Sequence, residues 1–131
     1  MPDFERTITV KEEDLDDLNH VNNVRYVQWI QDIAKDHWQS LASAELQRSV
    51  AWVVMHHDIT YKNAAKLNDV LRLITYIEKN RGAISVRVVE IYDKETNVLL
   101  VRSSTKWCLL NVDTFKPVRI PESIIRIFKR E

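Results

Sequence analysis

Glycine and cysteine are scarce in this sequence, with one of each, Gly82 and Cys108, among 131 residues. A single cysteine cannot close a disulfide bond within the chain, which favours a reducing compartment. Long apolar runs are lacking as well, since stretches such as "VAWVVM" are far too short to span a bilayer. The opening "MPDFERTITV" lacks the basic and then apolar order of a signal peptide. We therefore expect a cytoplasmic protein without a membrane partner.

An excess of charge is also lacking. Lys plus Arg and Asp plus Glu each number 19, and neither sign forms a long block. Without a basic stripe the sequence does not favour a nucleic-acid partner, and we expect a small-molecule ligand. We expect no metal or other cofactor, because His56 and His57 are adjacent on a predicted strand and point to opposite faces. Cys108 has no histidine placed near it by the sequence, so we expect a packed or half-buried thiol there and not a nucleophile.

The hydrophobic pattern predicts the first half of the fold. Hydrophobic residues make up 45% of the chain and charged residues 29%, which is typical of one globular domain, here residues 1–131. "FERTITV" alternates apolar and polar side chains and predicts a first strand. From residue 23 to about residue 47, apolar residues recur at every third and fourth position without glycine or proline. This spacing predicts one long helix, with Asn22 or Asn23 as its N-cap.

Beyond this helix the apolar period changes to two. Four strands are predicted, at about residues 50–62, 70–79, 83–92 and 98–112, and "ESIIRIFKRE" predicts a short terminal helix. In the first of these strands we place Trp52 on the polar face and assign the other face to the core: Ala51, Val53, Met55, Ile59 and Tyr61. The order of elements predicts an α+β fold in which an antiparallel sheet wraps around one long helix.

The segment "DLDDLNHVNNVRYVQWI", residues 14–30, combines acids, a histidine and two asparagines with the start of the predicted helix. A helix N-terminus offers N–H donors and a partial positive charge to a negatively charged oxygen. With Asp16 and His20 directly upstream, an acyl-transfer site is possible, in which the carboxylate attacks a carbonyl or activates water. The alternative is a structural cap, in which the acids only complement the helix dipole.

The same segment resembles the hot-dog-fold thioesterases. It is most similar to the acyl-ACP thioesterases, whose segment is D-L-D-x-N-x-H-V-N-N-x-x-Y-x-x-W, and more distantly to the 4-hydroxybenzoyl-CoA thioesterase type. The unbroken "HVNN" carries the resemblance, which continues weakly through "ITYKNAAKLNDVLRL" and "SSTKWCLLNVDTFKPVRIPESI". It implies hydrolysis of acyl-CoA or acyl-ACP thioesters, with Asp16 as base or nucleophile, His20 as an orienting group and the Asn23 N–H as oxyanion donor. Three aromatic residues are expected to line the acyl site: Tyr26, Trp29 and Tyr61.

The sequence departs from the family pattern at two points. Leu18 stands where the acyl-ACP enzymes carry an asparagine, which puts a role for that amide in doubt. Asn19 and Asn68 stand where many relatives have glycine or a Gly-Asp pair, and because asparagine tolerates a positive φ we expect the backbone path to survive.

The plant enzymes also use a second hot-dog repeat, for which this chain is too short. Only a second subunit would complete the pocket, and an exposed sheet edge also favours pairing, so we expect a homodimer or a dimer of dimers. A monomer whose edge is protected by Lys and Arg is the alternative.

Two other functions remain open at this level. A hot-dog dehydratase would need an acid on the central helix, which offers Asp32 and Asp36 without the dehydratase pattern. A non-catalytic acyl-CoA-binding module is the second, although a pure binder gains nothing from Asp16 beside a carbonyl. Basic side chains that would suit a coenzyme A phosphate are equally explained as solvated strand edges: Lys62, Arg81 and Lys106.

Overall fold

A computed structural model describes residues 3–129. Its five strands form one sheet in the order β1-β3-β4-β5-β2, and each neighbouring pair is antiparallel. The predicted order of one strand, a long helix and four strands is confirmed. The elements are β1 (Phe4–Thr9), α1 (Asn23–Leu41), α2 (Ala44–Ser49), β2 (Val50–Tyr61), β3 (Val70–Arg81), β4 (Ile84–Asp93), β5 (Leu99–Asn111) and α3 (Glu122–Ile127).

The N-terminus of α1 is capped as predicted. The Asn22 side chain accepts a hydrogen bond from the Val24 N–H at 2.9 Å, so Asn22 and not Asn23 is the N-cap. The helix buries one stripe against the sheet: Tyr26, Trp29, Ile30, Ile33, Ala34 and His37. No helix within residues 3–129 is long and apolar enough to cross a membrane.

The prediction that this helix continues to about residue 47 was wrong. It ends at Leu41, and Ser43 begins the short helix α2 by accepting the Leu46 N–H at 3.1 Å. A serine hydroxyl competes with the helix for backbone donors, so Ser43 starts a new helix although the apolar spacing continues past it.

The predicted core face of β2 was also wrong over its first half. The register against β5 shifts between Val54 and His56, which makes Met55 an extra residue in a β-bulge. Because one inserted residue reverses the alternation, Trp52 packs inward while Val53 and Met55 are 41% and 63% exposed. Beyond the bulge the prediction holds for Ile59, which packs against the core.

Two hydrophobic clusters fill the space between the helices and the sheet. The larger joins the first half of α1 to β3, β4 and β5, and includes Ile30, Leu73 and Val101. The smaller joins β5 to α3 through Leu109 and Ile124. Except for Asp14, every buried polar residue of the described chain lies on α1 or the sheet: His37, Thr75, Ser85, Arg87, Ser103 and Thr105. We call these six residues the polar belt.

The predictions for the C-terminal helix and for Cys108 agree with the structure. The terminal helix α3 forms within "ESIIRIFKRE", although residues 130 and 131 of that segment lie outside the described residues. Cys108 is 5% exposed, and its thiol lies 3.8 Å from the Leu109 carbonyl oxygen, which confirms a packed thiol.

Candidate active site

A tight turn centred on Asp16 precedes α1. The Asp16 N–H donates to the His20 carbonyl oxygen at 2.8 Å, and Asp16 Oδ1 accepts the N–H groups of Leu18 and His20 at 2.9 and 3.2 Å. Asn19 has a φ of 60°, which confirms the positive value expected there. One carboxylate oxygen therefore folds the turn, while no described residue donates to the other oxygen, Oδ2.

The turn is attached to the segment between β2 and β3. The Val21 N–H donates to the Ala65 carbonyl oxygen at 3.0 Å, and His20 forms an isolated bridge with Lys66. The Tyr26 hydroxyl accepts the Ala65 N–H at 3.2 Å. Asn68 closes this segment with a φ of 71°, again as expected. The backbone around Ala65 thus fixes the position of this loop against α1.

Asp14, to which sequence reasoning gave no role, anchors the other side of the loop. This residue is 7% exposed, its Oδ1 lies 3.0 Å from Arg25 Nε, and its Oδ2 accepts the Lys11 N–H at 2.9 Å. Its carbonyl oxygen accepts the Asn22 N–H at 2.8 Å. Asp14 and Arg25 are separated by the whole loop, so no short-range spacing indicated the pair.

The structure brings together the three residues expected to carry the chemistry. Asp16 and His20 are half-buried on the turn, and Asn23 is the first residue of α1. The Val24 N–H is occupied by Asn22, whereas the Asn23 N–H has no acceptor among the described residues. The His20 imidazole also makes no hydrogen bond within residues 3–129. The loop therefore presents a carboxylate oxygen, an imidazole and a helix-start N–H that are not occupied by this part of the chain.

The three aromatic residues expected to line an acyl site form a cluster beside this loop. Tyr26 is 3% and Trp29 8% exposed, and their rings meet edge to face with centroids 5.6 Å apart. Tyr61 is 43% exposed, with its ring centroid 5.8 Å from that of Tyr26. Burial raises the pKa of Tyr26, and the charges of Asp69 and Asp16 add to the shift. Tyr26 and Trp29 are core residues, and their contact with an acyl chain stays a prediction.

Arg87 at the centre of the polar belt was missed by sequence reasoning. Its Nη1 lies 2.9 Å from His37 Nδ1 and 3.0 Å from Thr75 Oγ1, and its guanidinium lies 5.4 Å from the Phe128 ring centroid. Burial lowers the pKa of Arg87 to about 9, and burial together with the Arg87 charge lowers that of His37 to about 4. The signal was available in "ISVRVVEI", because Arg87 alternates in phase with the core residues Val89 and Ile91.

The remaining candidates do not gather into a second centre. Within residues 3–129, no three His, Cys, Asp or Glu side chains are grouped to hold a metal ion. Asp32 is exposed and accepts a hydrogen bond from Gln28 Nε2 at 2.8 Å, and Asp36 lies 3.6 Å from Arg6 Nε. Both helix acids therefore face polar surface partners, which gives the dehydratase alternative no support. Lys62, Arg81 and Lys106 are exposed, and their contact with coenzyme A stays a prediction.

Known thioesterases match both the sequence and the fold. The family described as the acyl-ACP thioesterase N-terminal domain matches residues 2–128. A search of curated proteins finds no match. Among solved structures, the chain is similar to YbaW, a probable thioesterase from Escherichia coli, with 21% identity over 95% of both chains and a TM-score of 0.82. It is also similar to Slr0204, a 1,4-dihydroxy-2-naphthoyl-CoA thioesterase from Synechocystis, with 19% identity, a TM-score of 0.83 and coverage of 95% of this chain and 94% of that one.

A third similar structure is the 12:0-ACP thioesterase from Umbellularia californica. It shares 18% identity and a TM-score of 0.83, and the match covers 98% of this chain and 51% of that one. At these identities the structural likeness shows the fold, while the family match extends over nearly the whole sequence. The chain therefore belongs to the acyl-ACP thioesterase family and is a thioester hydrolase with the hot-dog fold.

Proposed function

We propose that the loop before α1 is the thioesterase active site and that Asp16 is its general base or nucleophile. The observation that carries this proposal is that the two oxygens of the Asp16 carboxylate differ in their hydrogen bonds. Oδ1 holds the turn through two backbone N–H groups, while Oδ2 has no donor among residues 3–129. An oxygen in this position can attack a thioester carbonyl or remove a proton from water.

The Asn23 N–H is the proposed oxyanion donor. It stands at the positive end of a 19-residue helix, and no described residue accepts its hydrogen. A thioester oxygen on this donor would gain stabilisation as negative charge develops in the tetrahedral transition state. Asn22 supports the geometry because it satisfies the neighbouring Val24 N–H and so fixes the first turn.

His20 is proposed to orient the attacking water or the substrate. Its backbone N–H and carbonyl oxygen both bind Asp16, which holds the two residues in a constant relation. Its imidazole is half-buried and remains available to a water or a thioester. Tyr26, Trp29 and Tyr61 are proposed to contact the acyl group, with the half-exposed Tyr61 at the entrance.

A second copy of the chain is proposed to complete the pocket, within one domain per chain, as a homodimer or a dimer of dimers. β2 is the last strand in the sheet order, and it exposes the apolar side chains Val53 and Met55 on the face turned away from the core. A long apolar edge strand pairs readily with another strand. Light scattering at micromolar concentration should give at least twice the monomer mass, and a fully active monomer would contradict this assembly.

The substrate is proposed to be an acyl thioester of coenzyme A or acyl carrier protein. Slr0204 acts on an aromatic coenzyme A thioester and the Umbellularia enzyme on a 12:0 carrier-protein thioester, so both carriers and both kinds of acyl group need testing. The experiment is a panel of such thioesters with a thiol-reactive dye that reports the released thiol. Hydrolysis of at least one class is expected, and a panel without any hydrolysis would refute the proposal.

A further inference from the structure

A cleft of about 460 Å³ runs along the side of α1 from Gln28, about one and a half turns into the helix. Gln28, Lys35 and Trp38 of α1 line one side, and Trp52, Arg87 and Trp107 of the sheet line the other. Three tryptophans and one buried guanidinium therefore line the same space between the helix and the sheet.

Arg87 is only partly satisfied by the protein. Both of its described hydrogen bonds leave from Nη1, to His37 and Thr75. Within residues 3–129, Nε and Nη2 donate no hydrogen bond and no carboxylate forms a salt bridge with this side chain, which is 5% exposed. Asp32 also lines the cleft, but its described partner is Gln28. A guanidinium carries five N–H donors, and a buried charge without a counter-ion is costly.

Polar groups on β5 and β2 also lack hydrogen-bond partners. In the described chain, three buried polar side-chain atoms have no hydrogen-bond partner: His57 Nε2, Ser103 Oγ and Trp107 Nε1. Thr105 pairs in register with both Arg87 and His57, and Ser103 and Trp107 lie on the same face of β5 because they alternate with it. The unsatisfied atoms therefore lie on one side of Arg87, on β5 and β2, on the face of the sheet that meets α1. Buried polar atoms without partners are rare and call for an explanation.

The chemistry of these groups selects the ligand. Arg87 and Trp107, which both line the cleft, can only donate hydrogen bonds. A negatively charged acceptor satisfies such a set, and a carboxylate matches the planar fork of a guanidinium. We propose that this cleft binds a carboxylate on Arg87, with the Trp107 indole N–H as a second donor. The identity of this carboxylate rests on the proposed function. It is either the far end of a dicarboxylic acyl group or the acid that hydrolysis releases.

Binding of octanoate tests the site without any catalysis. Because three tryptophans line the cleft, intrinsic fluorescence should report binding directly. Octanamide, the uncharged analogue of octanoate, is the control ligand. Wild-type protein should bind octanoate at least roughly tenfold more tightly than octanamide, and Arg87→Met should lose that preference. Arg119→Met, which removes a charge from an exposed position, should bind octanoate as the parent does. Equal binding of acid and amide, or unchanged binding by Arg87→Met, would overturn the inference.

Folding of the variants is followed by thermal melting. Arg87→Met removes a buried charge that has no carboxylate partner, but it also leaves His37 and Thr75 without this donor, so its Tm is compared with that of the parent first. Should it fail to fold, Trp107→Phe keeps the packing and removes only the indole donor. This variant should bind octanoate several-fold more weakly, and binding equal to that of the parent would count against the site.

Hydrolysis then separates the two sources of the carboxylate. If the acyl tail supplies it, adipoyl-CoA should have a lower KM than hexanoyl-CoA, and Arg87→Met should remove the difference. If the product supplies it, the two KM values should be equal and octanoate should inhibit the parent but not Arg87→Met. If the two KM values are equal and octanoate does not inhibit the parent, the inference is rejected. Octanoate binding through Arg87 in a protein that hydrolyses no thioester would refute the proposed function alone, and hydrolysis without octanoate binding would refute this inference alone.

Discussion

The loop before α1 and the polar belt on the sheet are two polar regions of the described chain that are built in opposite ways. The loop is local: Asp16, His20 and Asn23 lie within one short segment, and its turn is closed by backbone hydrogen bonds. The belt is assembled from α1, β3, β4 and β5, and it holds a buried guanidinium with no described carboxylate partner. In the loop, some polar groups hold the turn and others stay accessible to solvent. In the belt, polar groups are buried, and the described chain does not satisfy all of their hydrogen bonds.

This difference indicates that the two regions have different tasks. The carboxylate proposed to react, that of Asp16, needs contact with water and a fixed position, and it is half-buried on a turn held by hydrogen bonds. A site that binds a ligand through hydrogen bonds needs buried donors without an acceptor in the protein, and the belt supplies such donors. Substitutions in the loop should therefore change the rate or the local backbone, and substitutions in the belt should change binding and the pH dependence of stability.

The largest effect is expected from Asp16→Asn. The amide oxygen can still accept the Leu18 and His20 N–H groups, so the turn should persist, but the reacting charge is lost. We expect kcat to fall by roughly 100-fold or more, with little change in Tm. Asp17→Asn is the matched control, because Asp17 is exposed one residue away and should stay within a few-fold of the parent rate. Equal losses at both positions, or none at Asp16, would make the loop a cap and not an active site.

The second prediction concerns the anchor of the loop. Asp14→Ala removes the ion pair with Arg25 and the acceptor for the Lys11 N–H, where the Asp14 side chain is 10% and the Arg25 side chain 37% exposed. Loss of these contacts should lower the free energy of unfolding by about 2–3 kcal/mol in urea titrations. Asp14→Asn keeps an acceptor for Lys11 and should lose less. A loss below about 0.5 kcal/mol for the alanine variant would mean that the anchor contributes little.

How far the sequence predicts each region follows from the same contrast. The Asn22 cap and the positive φ at Asn19 and Asn68 were predicted because each depends on a few neighbouring residues. The Ser43 helix start and the Met55 bulge were missed, since apolar spacing continues through the first and strand pairing decides the second. The Arg87 site was missed for a related reason: His37, Thr75 and Arg87 come together only when the strands are in register and α1 lies across them.

The third prediction tests the backbone of the loop. Asn19 has a φ of 60°, where a β-branched side chain is strained. Asn19→Val should lower stability by about 1 kcal/mol or more, and Asn19→Gly should be neutral or mildly stabilising. Melting curves that show the valine variant to be as stable as the parent would refute this account of the turn.

The smallest effect at neutral pH, and the one specific to the belt, is expected from His37→Gln. The pKa of His37 lies at about 4 in the folded protein against 6.5 for an ordinary histidine, because the ring is buried and faces the Arg87 charge. The ring accepts a hydrogen bond from Arg87 through Nδ1, so it is neutral in the folded state, and the glutamine oxygen can replace that acceptor.

The sign of the pH dependence follows from these two pKa values. The folded pKa is depressed, so the contribution of His37 to stability is fully present above pH 6.5 and is lost as the pH falls toward about 4. Between these limits the unfolded chain binds about one proton more than the folded chain at this site. Urea titrations from pH 7 to 5 should therefore show a steeper loss of stability in the parent than in His37→Gln, while carboxylates that titrate in both proteins cancel. His56→Gln, at an exposed position of β2, should retain the parent slope. If the His37 and His56 variants behave alike, the imidazole is not held neutral by the belt, and its contact with Arg87 does not govern the pH dependence of the fold.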